Sequence, residues 1–492
     1  MSTRSSRITL NFTSILLGRG VGLFLNLFAV IFAARYLGVE NYGLFSATLS
    51  MVYILTKFID FGFSPIVTRE TAKDLNNYEY LNNAISLRII LFFLLLIISN
   101  VSFQIFHLKK EEIIYSNILF LNIILSSRFL SFRELLEIPF KVHLRMHIVA
   151  LLNFLDNFLL LILILFIPYA NDKLLYYVVS FSLANLPGFI GLLIILKKKL
   201  NYHFQFQLNK KNWLIRQSIP LMGYVLLLSF FQQIDIVLTK HYISEVASGL
   251  YAVGIRLTQP FTVFPVAIVN TTIPLIVSAN KNDSKNAKHI IRLVYKLLLL
   301  LSFITATVFS FKAKDLVLLL FGESYLPAYK VVIILAWSNL FLFYNFFTVE
   351  LLTVFSAQKK NFIFALILVV LDVGFFYLFY SELDYLGAAV ARTLATLGGA
   401  VFLWSMQQQK IFRKIKILNF RFVIAATLIL LVALLLSTQN LVLYILFVSI
   451  ISPLLFWMFK FLDKEEMETL FNVFKIKKLS PFLYSTLMKI YH

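Results

Sequence analysis

The feature that most constrains this chain is a succession of long apolar segments that fills almost its whole length. A spanning helix takes about 20 mostly apolar residues. Fourteen segments are long enough for a helix: 8–34, 41–66, 82–107, 113–140, 147–169, 174–196, 213–239, 247–279, 287–311, 327–355, 361–380, 386–408, 419–437 and 439–460. The pattern predicts an all-α integral membrane protein with about fourteen transmembrane helices. Thirteen is the alternative, because only a short polar break at Gln439 and Asn440 separates the last two segments.

Charge placement predicts the orientation. The chain is 60% apolar and only 14% charged, against about 25% charged in a soluble domain. Its net charge of +21 would indicate a nucleic-acid partner in a soluble protein. Here, thirty of the 45 Lys and Arg residues fall on the loops, termini and span ends of one side, eight on those of the other side, and seven deeper within spans. The positive-inside rule therefore predicts that both termini are cytoplasmic and that the excess charge concerns topology, not nucleic acid.

Several classes of activity are excluded by what the sequence lacks. Without cysteine there are no disulfides or thiolate metal sites, and there is neither an H-E-x-x-H motif nor a Walker A loop. Loops between spans are too short for a catalytic domain. We therefore expect a protein that is not an enzyme and holds no cofactor or metal. Transport would draw on a proton or Na+ gradient, the membrane potential or the substrate's own gradient. The first apolar segment outruns a signal peptide, so we expect it to be retained.

A weak internal repeat appears when the chain is shifted by 206 residues. YLGVENYGLF at 36–45 then lies over YISEVASGLY at 242–251, with identities at Tyr36/Tyr242, Gly43/Gly249 and Leu44/Leu250. The two stretches link spans 1 and 2 and spans 7 and 8. We predict two six-helix lobes at 1–200 and 201–410, two added spans at 411–462, and a cytoplasmic tail at 463–492 that could hold one or two surface helices. Such repeats place a transport site at their interface near mid-membrane.

Charges within spans are the candidate site residues, because each costs roughly 2.5–3.5 kcal/mol in the bilayer core. Four arginines have no acid within four residues of the same helix: Arg19, Arg128, Arg256 and Arg392. Guanidinium binds phosphate through paired, charge-assisted hydrogen bonds, so these are candidate substrate-binding residues. Pairing with acids on other helices is the alternative. Lys57 is a fifth candidate on the polar face of span 2, unless Asp60 three residues on neutralises it.

The intramembrane acids are candidates for ion coupling. Asp372, Asp60 and Asp235 could each bind a proton or Na+, with a salt bridge from Asp372 to Arg392 as the alternative. Arg88 and Lys296 lie nearer the predicted cytoplasmic ends, where we expect their side chains to snorkel to the interface. We read three further charges as a local ion-pair network at the end of span 4: Arg133, Glu134 and Glu137.

The first two spans resemble a known family. Gly18 and Arg19, AARYLGVENYGLFSATLSM from Ala33 to Met51, and FIDFGFSPIVTRETA from Phe58 to Ala72 carry the resemblance. They resemble the polysaccharide transporter family of the multidrug/oligosaccharidyl-lipid/polysaccharide exporter superfamily, above all its O-antigen and capsule repeat-unit flippases.

The resemblance implies a two-lobed carrier in the bacterial inner membrane that works by alternating access. It would move an undecaprenyl-pyrophosphate-linked oligosaccharide from the cytoplasmic to the periplasmic leaflet through a cationic central cavity, for lipopolysaccharide O-antigen or capsule. Arg19 and Arg256 fall on cavity-forming spans. The implied partners are membrane lipids, a polysaccharide polymerase and other assembly proteins.

Three alternatives stay open. A lipid II flippase of the same superfamily fits the charge pattern equally well. A multidrug antiporter shares the fold but should have an acidic, aromatic cavity. A membrane glycosyltransferase or polymerase would need a sizeable outer loop, which the short loops disfavour.

Overall fold

The computed structural model describes residues 4–75, 77–105, 108–282, 284–355, 358–406 and 419–473, although side chains at 4–21, 23, 220–221, 281–282, 284, 358 and 471–473 are outside the described set. Within these ranges the chain forms eighteen α-helices and no strand. The helices are α1 Arg4–Asp60, α2 Phe63–Lys73, α3 Glu79–Ile105, α4 Lys110–Leu125, α5 Phe132–Val142, α6 Met146–Ile164, α7 Lys173–Leu183, α8 Leu186–Leu200, α9 Lys211–Tyr242, α10 Glu245–Thr258, α11 Val263–Asn282, α12 Ser284–Phe321, α13 Tyr329–Val354, α14 Gln358–Leu383, α15 Tyr385–Ser405, α16 Phe420–Leu435, α17 Leu441–Met458 and α18 Lys464–Val473.

The helices confirm the predicted all-α membrane fold. Eleven helical stretches of the described residues are long and apolar enough to cross a bilayer. The three other predicted spans correspond to the first arm of α1, to the pair α4 and α5, and to α16, which has only 16 residues. The chain is thus a multi-pass membrane protein, and its helix pattern accommodates fourteen crossings.

Spans 1 and 2 are two arms of the one long helix α1. They meet at Gly38, whose φ of 77° and ψ of 171° are open to glycine but strained for residues with a side chain. The predicted loop is therefore a one-residue kink. The second arm ends at Asp60, short of the predicted 66, because Phe61 and Gly62 both have positive φ and turn the chain into α2.

Three predicted spans are broken. A 3-10 turn, Ser127–Phe129, separates α4 from α5, and Leu130 after it has a φ of 49°. Span 6 is interrupted between α7 and α8, and span 8 by a second 3-10 turn, Gln259–Thr262, which contains a proline. Interrupted helices expose backbone polar groups, which a membrane protein tolerates where the break is enclosed by protein or lines a wet cavity. Breaks of this kind are therefore places to look for function.

Helix α3 shows the expected lipid-facing surface. Its exposed residues recur every three or four positions along one face: Ile90, Phe93, Ile97, Val101 and Ile105. On the other side its first turns bury polar residues, among them Asn83, Ser86 and Arg88. Large apolar side chains outside and polar ones inside are the reverse of a soluble helix, and they agree with lipid as the solvent.

The chain divides into two compact units, Met1–Ala252 and Val253–His492. The division falls within α10, beyond the predicted lobe boundary at 200, because α9 and the first turns of α10 pack on the first unit. Two ion pairs hold them there: Lys240 to Glu112 at 2.7 Å and Lys109 to Glu245 at 3.3 Å. The predicted lobes, defined by the repeat, stay a prediction.

The repeat itself has a structural counterpart inside the first unit. A Cβ placed on Gly43 would overlap the carbonyl oxygen of Glu245, and one placed on Gly249 would overlap that of Val39. The two contacts are related by the repeat: a shift of 206 residues aligns Gly43 with Gly249 and Val39 with Glu245. The two matched stretches therefore cross each other with local two-fold symmetry, and the shared glycine is what lets the backbones touch.

Candidate substrate site in the first unit

The 3-10 turn between α4 and α5 presents Arg128. Ser126 caps the turn by accepting a hydrogen bond from the Arg128 backbone N–H, so the broken helix fixes this residue. The guanidinium donates through Nη2 to Oδ1 of Asn157 on α6 at 2.5 Å and lies 5.2 Å from the centroid of the Phe181 ring on α7. Its Nη1 is buried and has no hydrogen-bond partner among the described residues.

Arg128 forms no ion pair with any residue that the structure describes, and both partners, an amide and an aromatic ring, are neutral. A buried guanidinium with a free N–H is a poor structural element, because desolvation of its charge is only partly compensated. It is a good receptor for an oxyanion, which would supply both the missing charge and the missing acceptor.

Two other buried arginines of this unit do have carboxylate partners. Arg88 is paired with Asp60 and donates to the carbonyl oxygen of Ser131 at 2.5 Å. Arg133 binds Asp156 at 2.5 Å and lies 3.6 Å from Glu137. Both side chains are fully enclosed, so these pairs hold helices together.

These contacts correct three expectations. Arg88 does not snorkel, because its side chain has no exposure. Asp60 does not neutralise Lys57, since its carboxylate is taken by Arg88. The Arg133 network is not confined to the end of span 4: it reaches α6 through Asp156, which also accepts the Gly188 N–H of α8 at 2.8 Å.

Lys57 lies on the second arm of α1, half-buried and outside every ion pair among the described residues. Its charge interacts with Glu134, which accepts a hydrogen bond from Ser64 at 2.8 Å. One turn before Lys57, the Tyr53 ring stacks on Phe129 with centroids 4.2 Å apart. The structure thereby joins the helix that carries Lys57 to the turn that carries Arg128.

The first arm of α1 passes the same place. A Cβ on Gly22 would lie 3.8 Å from Nδ2 of Asn157, the residue that holds Arg128. Arg19 precedes Gly22 by about one helical turn, but its side chain is outside the described residues. Its predicted contact with substrate stays a prediction.

The remaining candidates are distributed more widely. Asp235 is buried on α9 and accepts a hydrogen bond from the Tyr251 hydroxyl at 2.5 Å. In the second unit, Arg256 and Arg392 are half-buried near the end of α10 and on α15, and Asp372 is fully buried on α14. Their roles in binding and coupling stay predictions.

Sequence reasoning missed two asparagines that hold arginines in place, Asn157 for Arg128 and Asn153 for Arg133. Asn153 and Asn157 lie on α6 beside Asp156, and Asn153 binds Arg133 at 2.8 Å. A signal was present, because these three polar residues share one side of an otherwise apolar helix.

The comparisons with known proteins agree with this architecture. The chain is similar to "Lipid II flippase MurJ, inward closed conformation", with a TM-score of 0.71 and 15% identity over 92% of this chain and 98% of that chain. An inward-facing multidrug resistance MATE family transporter of the MOP superfamily gives 0.62 and 16% identity over 80% and 96%. The Vibrio cholerae MATE transporter VcmN in the bent form gives 0.53 and 13% over 83% and 99%. No curated protein matches the chain in sequence.

The helical fold therefore defines a membrane protein with the fold shared by these flippases and transporters. Its family follows from sequence, since residues 8–280 match the family described as "Polysaccharide biosynthesis protein". The chain belongs to that family.

Proposed function

We propose that this protein is a flippase for an undecaprenyl-pyrophosphate-linked oligosaccharide, which it moves from the cytoplasmic to the periplasmic leaflet of a bacterial inner membrane. The product would serve O-antigen or capsule synthesis, in concert with a polysaccharide polymerase. The observation that carries the proposal is the half-buried Arg128, which has neutral partners and a buried Nη1 that donates to no described residue, in a chain of the polysaccharide biosynthesis family.

The chemistry of such a substrate explains why a cation is needed in the membrane. A pyrophosphate with attached sugars cannot enter hydrocarbon without a prohibitive desolvation cost. Arg128 would bind a phosphate oxygen through Nη1, and Lys57 would add a second positive charge from α1. The lipid tail can stay in the bilayer while the headgroup crosses, with access alternating between the two sides.

The same contacts disfavour a multidrug antiporter. A site for organic cations needs an open carboxylate, and two acids of the first unit, Asp60 and Asp156, are closed to such a ligand by Arg88 and Arg133. A lipid II flippase remains the second candidate, because lipid II also presents a pyrophosphate. The family match to polysaccharide biosynthesis supports the oligosaccharide over lipid II.

The test is lipid flipping by the purified protein in proteoliposomes, with undecaprenyl-pyrophosphate-linked oligosaccharide as substrate. We expect Arg128→Ala to reduce the rate at least about tenfold, since a charge-assisted hydrogen bond to phosphate contributes roughly 1.5–3 kcal/mol. Arg128→Lys should keep part of the activity, because the charge remains while the fork geometry is lost.

The matched control is Arg216→Ala, which removes an exposed arginine of α9. It should flip at the wild-type rate. Wild-type flipping by Arg128→Ala would remove this residue from the site, and an inactive wild-type protein would refute the proposed substrate.

A further inference from the structure

A second polar site lies at one end of the first unit, away from Arg128. A cavity of about 510 Å³ opens between the connection from α2 to α3 and the extended segment at 201–208. Its volume is within the range of ligand sites, about 300–1,000 Å³. Five of its nine lining residues carry amide side chains: Asn77, Asn82, Asn201, Gln205 and Gln207. We call this cavity the amide groove.

The walls of the amide groove are fixed by hydrogen bonds. The Tyr202 hydroxyl donates to Oδ1 of Asn82 at 2.8 Å, and the Tyr202 ring meets the edge of Tyr78 with centroids 5.2 Å apart. Burial raises the pKa of the Tyr202 phenol, so the hydroxyl stays protonated and the bond persists across the physiological range. The Gln207 N–H donates to Ser86 Oγ of α3 at 3.0 Å. The groove is therefore formed before any ligand arrives.

Hydrogen-bonding capacity is left over inside the groove. Asn82 lines the cavity and is only 6% exposed, and with Oδ1 taken by Tyr202 its Nδ2 donates to no acceptor among the described residues. Gln207 donates through Nε2 to Gln205 at 2.9 Å, whereas its buried Oε1 accepts from no donor in the described part of the chain. One free amide donor and one free amide acceptor match a ligand that both donates and accepts, as hydroxyl and acetamido groups do.

The charges in the groove indicate which part of a ligand it would take. The nine described lining residues include Asp74 and Glu79 but neither Lys nor Arg. Glu79 also accepts from Asn209 at 2.6 Å and lies 3.8 Å from Nζ of Lys210, so a cation adjoins the lining without belonging to it. Carboxylates repel phosphate but accept hydrogen bonds from sugar hydroxyls, while Tyr78 provides a ring against which a sugar face can pack. The lining residues are thus better matched to carbohydrate than to a pyrophosphate.

We propose that the amide groove binds the glycan portion of the lipid-linked substrate at the cytoplasmic end of the protein. This inference rests on the proposed flippase function, and it divides recognition between two places. The amide groove binds sugar hydroxyls, and Arg128 binds the pyrophosphate. Selectivity among glycans would then depend on the groove and not on the cationic site.

The experiment measures equilibrium binding to the full-length protein in lipid nanodiscs. The probes are undecaprenyl pyrophosphate, which has no sugar, and the undecaprenyl-pyrophosphate-linked oligosaccharide extracted from the native host. Asn82→Asp keeps the acceptor for Tyr202 and removes the free donor. The double variant His203→Ala, Gln205→Ala changes two exposed lining residues and also removes the Gln205 acceptor of Gln207 Nε2. Asn171→Asp, at an exposed asparagine outside the groove, is the control.

We expect both groove variants to bind the oligosaccharide lipid about tenfold more weakly, the loss expected for one or two hydrogen bonds, and undecaprenyl pyrophosphate within about twofold of wild type. The control should match wild type with both probes. Unchanged affinity of the groove variants for the oligosaccharide lipid, or equal loss of both lipids, would overturn the groove assignment while leaving the flippase proposal intact. Failure of the wild-type protein to bind either lipid would overturn both.

Discussion

At the scale of single residues, the partner of an arginine inside the first unit distinguishes a structural residue from a candidate binding residue. Arg88 and Asp60 form a closed pair between α3 and α1, whereas Arg128 faces an amide and a ring. Removing one member of a buried pair leaves an uncompensated charge, which costs about 3–5 kcal/mol. We therefore expect Arg88→Met to lower the thermal stability of the purified protein much more than Arg128→Met. Loss of Arg88 leaves Asp60 unpaired, whereas the described partners of Arg128 carry no charge.

The double variant Arg88→Met, Asp60→Leu provides the control. Replacing both charges by apolar groups should recover most of the lost stability, because no unpaired charge remains. Thermal unfolding in detergent measures all of these variants. Equal melting temperatures for wild type and Arg88→Met would contradict the structural role.

The depth of burial favours Asp372 among the candidates for ion coupling. Its side chain on α14 is 0% exposed, against 1% for Asp235 and 8% for Asp60. A carboxylate at such a position must be compensated or protonated, so a change of proton or Na+ occupancy there would alter the local energetics strongly. We expect Asp372→Asn to weaken the dependence of flipping on a proton or Na+ gradient. Flipping assays with and without each gradient measure this, and an unchanged gradient dependence would exclude Asp372.

At the scale of helices, the crossing of α1 and α10 depends on Gly43 and Gly249. A methyl group at either position would meet a backbone carbonyl, which cannot rotate away as a side chain can. Overpacking of this kind costs about 1–3 kcal/mol. We expect Gly43→Ala and Gly249→Ala to lower the melting temperature of the purified protein.

Gly374 on α14 is the matched control, because a Cβ there would have nothing within 4 Å. Gly374→Ala should leave stability unchanged or raise it, since alanine is favoured over glycine in a helix by about 0.5–1 kcal/mol. If Gly43→Ala changes the melting temperature no more than Gly374→Ala does, the close approach of α1 and α10 is dispensable.

Hydropathy and charge were sufficient to predict the membrane fold. The internal repeat, which aligns Gly43 with Gly249, predicted which two stretches of the chain correspond. The breaks within spans 4, 6 and 8 could not be predicted in the same way, because a turn made of apolar residues, such as that at Phe129 and Leu130, leaves hydropathy unchanged. The partners of the buried charges could not be predicted from the sequence for a related reason. Asp60 lies three residues from Lys57 in sequence, yet it binds Arg88 on another helix, because tertiary packing decides which charges meet.

At the scale of the whole molecule, the C-terminal segment has a defined place within the second unit. Glu466 of α18 is completely buried and accepts from Arg292 and Lys296 of α12, both at 2.7 Å. Lys296 also donates to the carbonyl oxygen of Phe461 at 2.9 Å, and its side chain is only 5% exposed. The expectation that Lys296 snorkels to the interface is therefore wrong. The predicted tail helix is therefore docked on a membrane-spanning helix by a compact charge cluster.

This cluster makes the stability of a spanning helix depend on the tail. Glu466→Ala would leave the buried Lys296 without a carboxylate, a loss of about 3–5 kcal/mol if the site stays closed, whereas Arg292 would keep its ion pair with Asp463 at 2.5 Å. We expect a markedly lower melting temperature for this variant, whereas Glu468→Ala, on the same helix but outside the cluster, should match wild type. Adding Lys296→Met to Glu466→Ala should restore part of the loss, because it removes the cation that Glu466→Ala leaves without a carboxylate. If Glu466→Ala and Glu468→Ala melt alike, the tail is not a structural part of the second unit and α12 is stable without it.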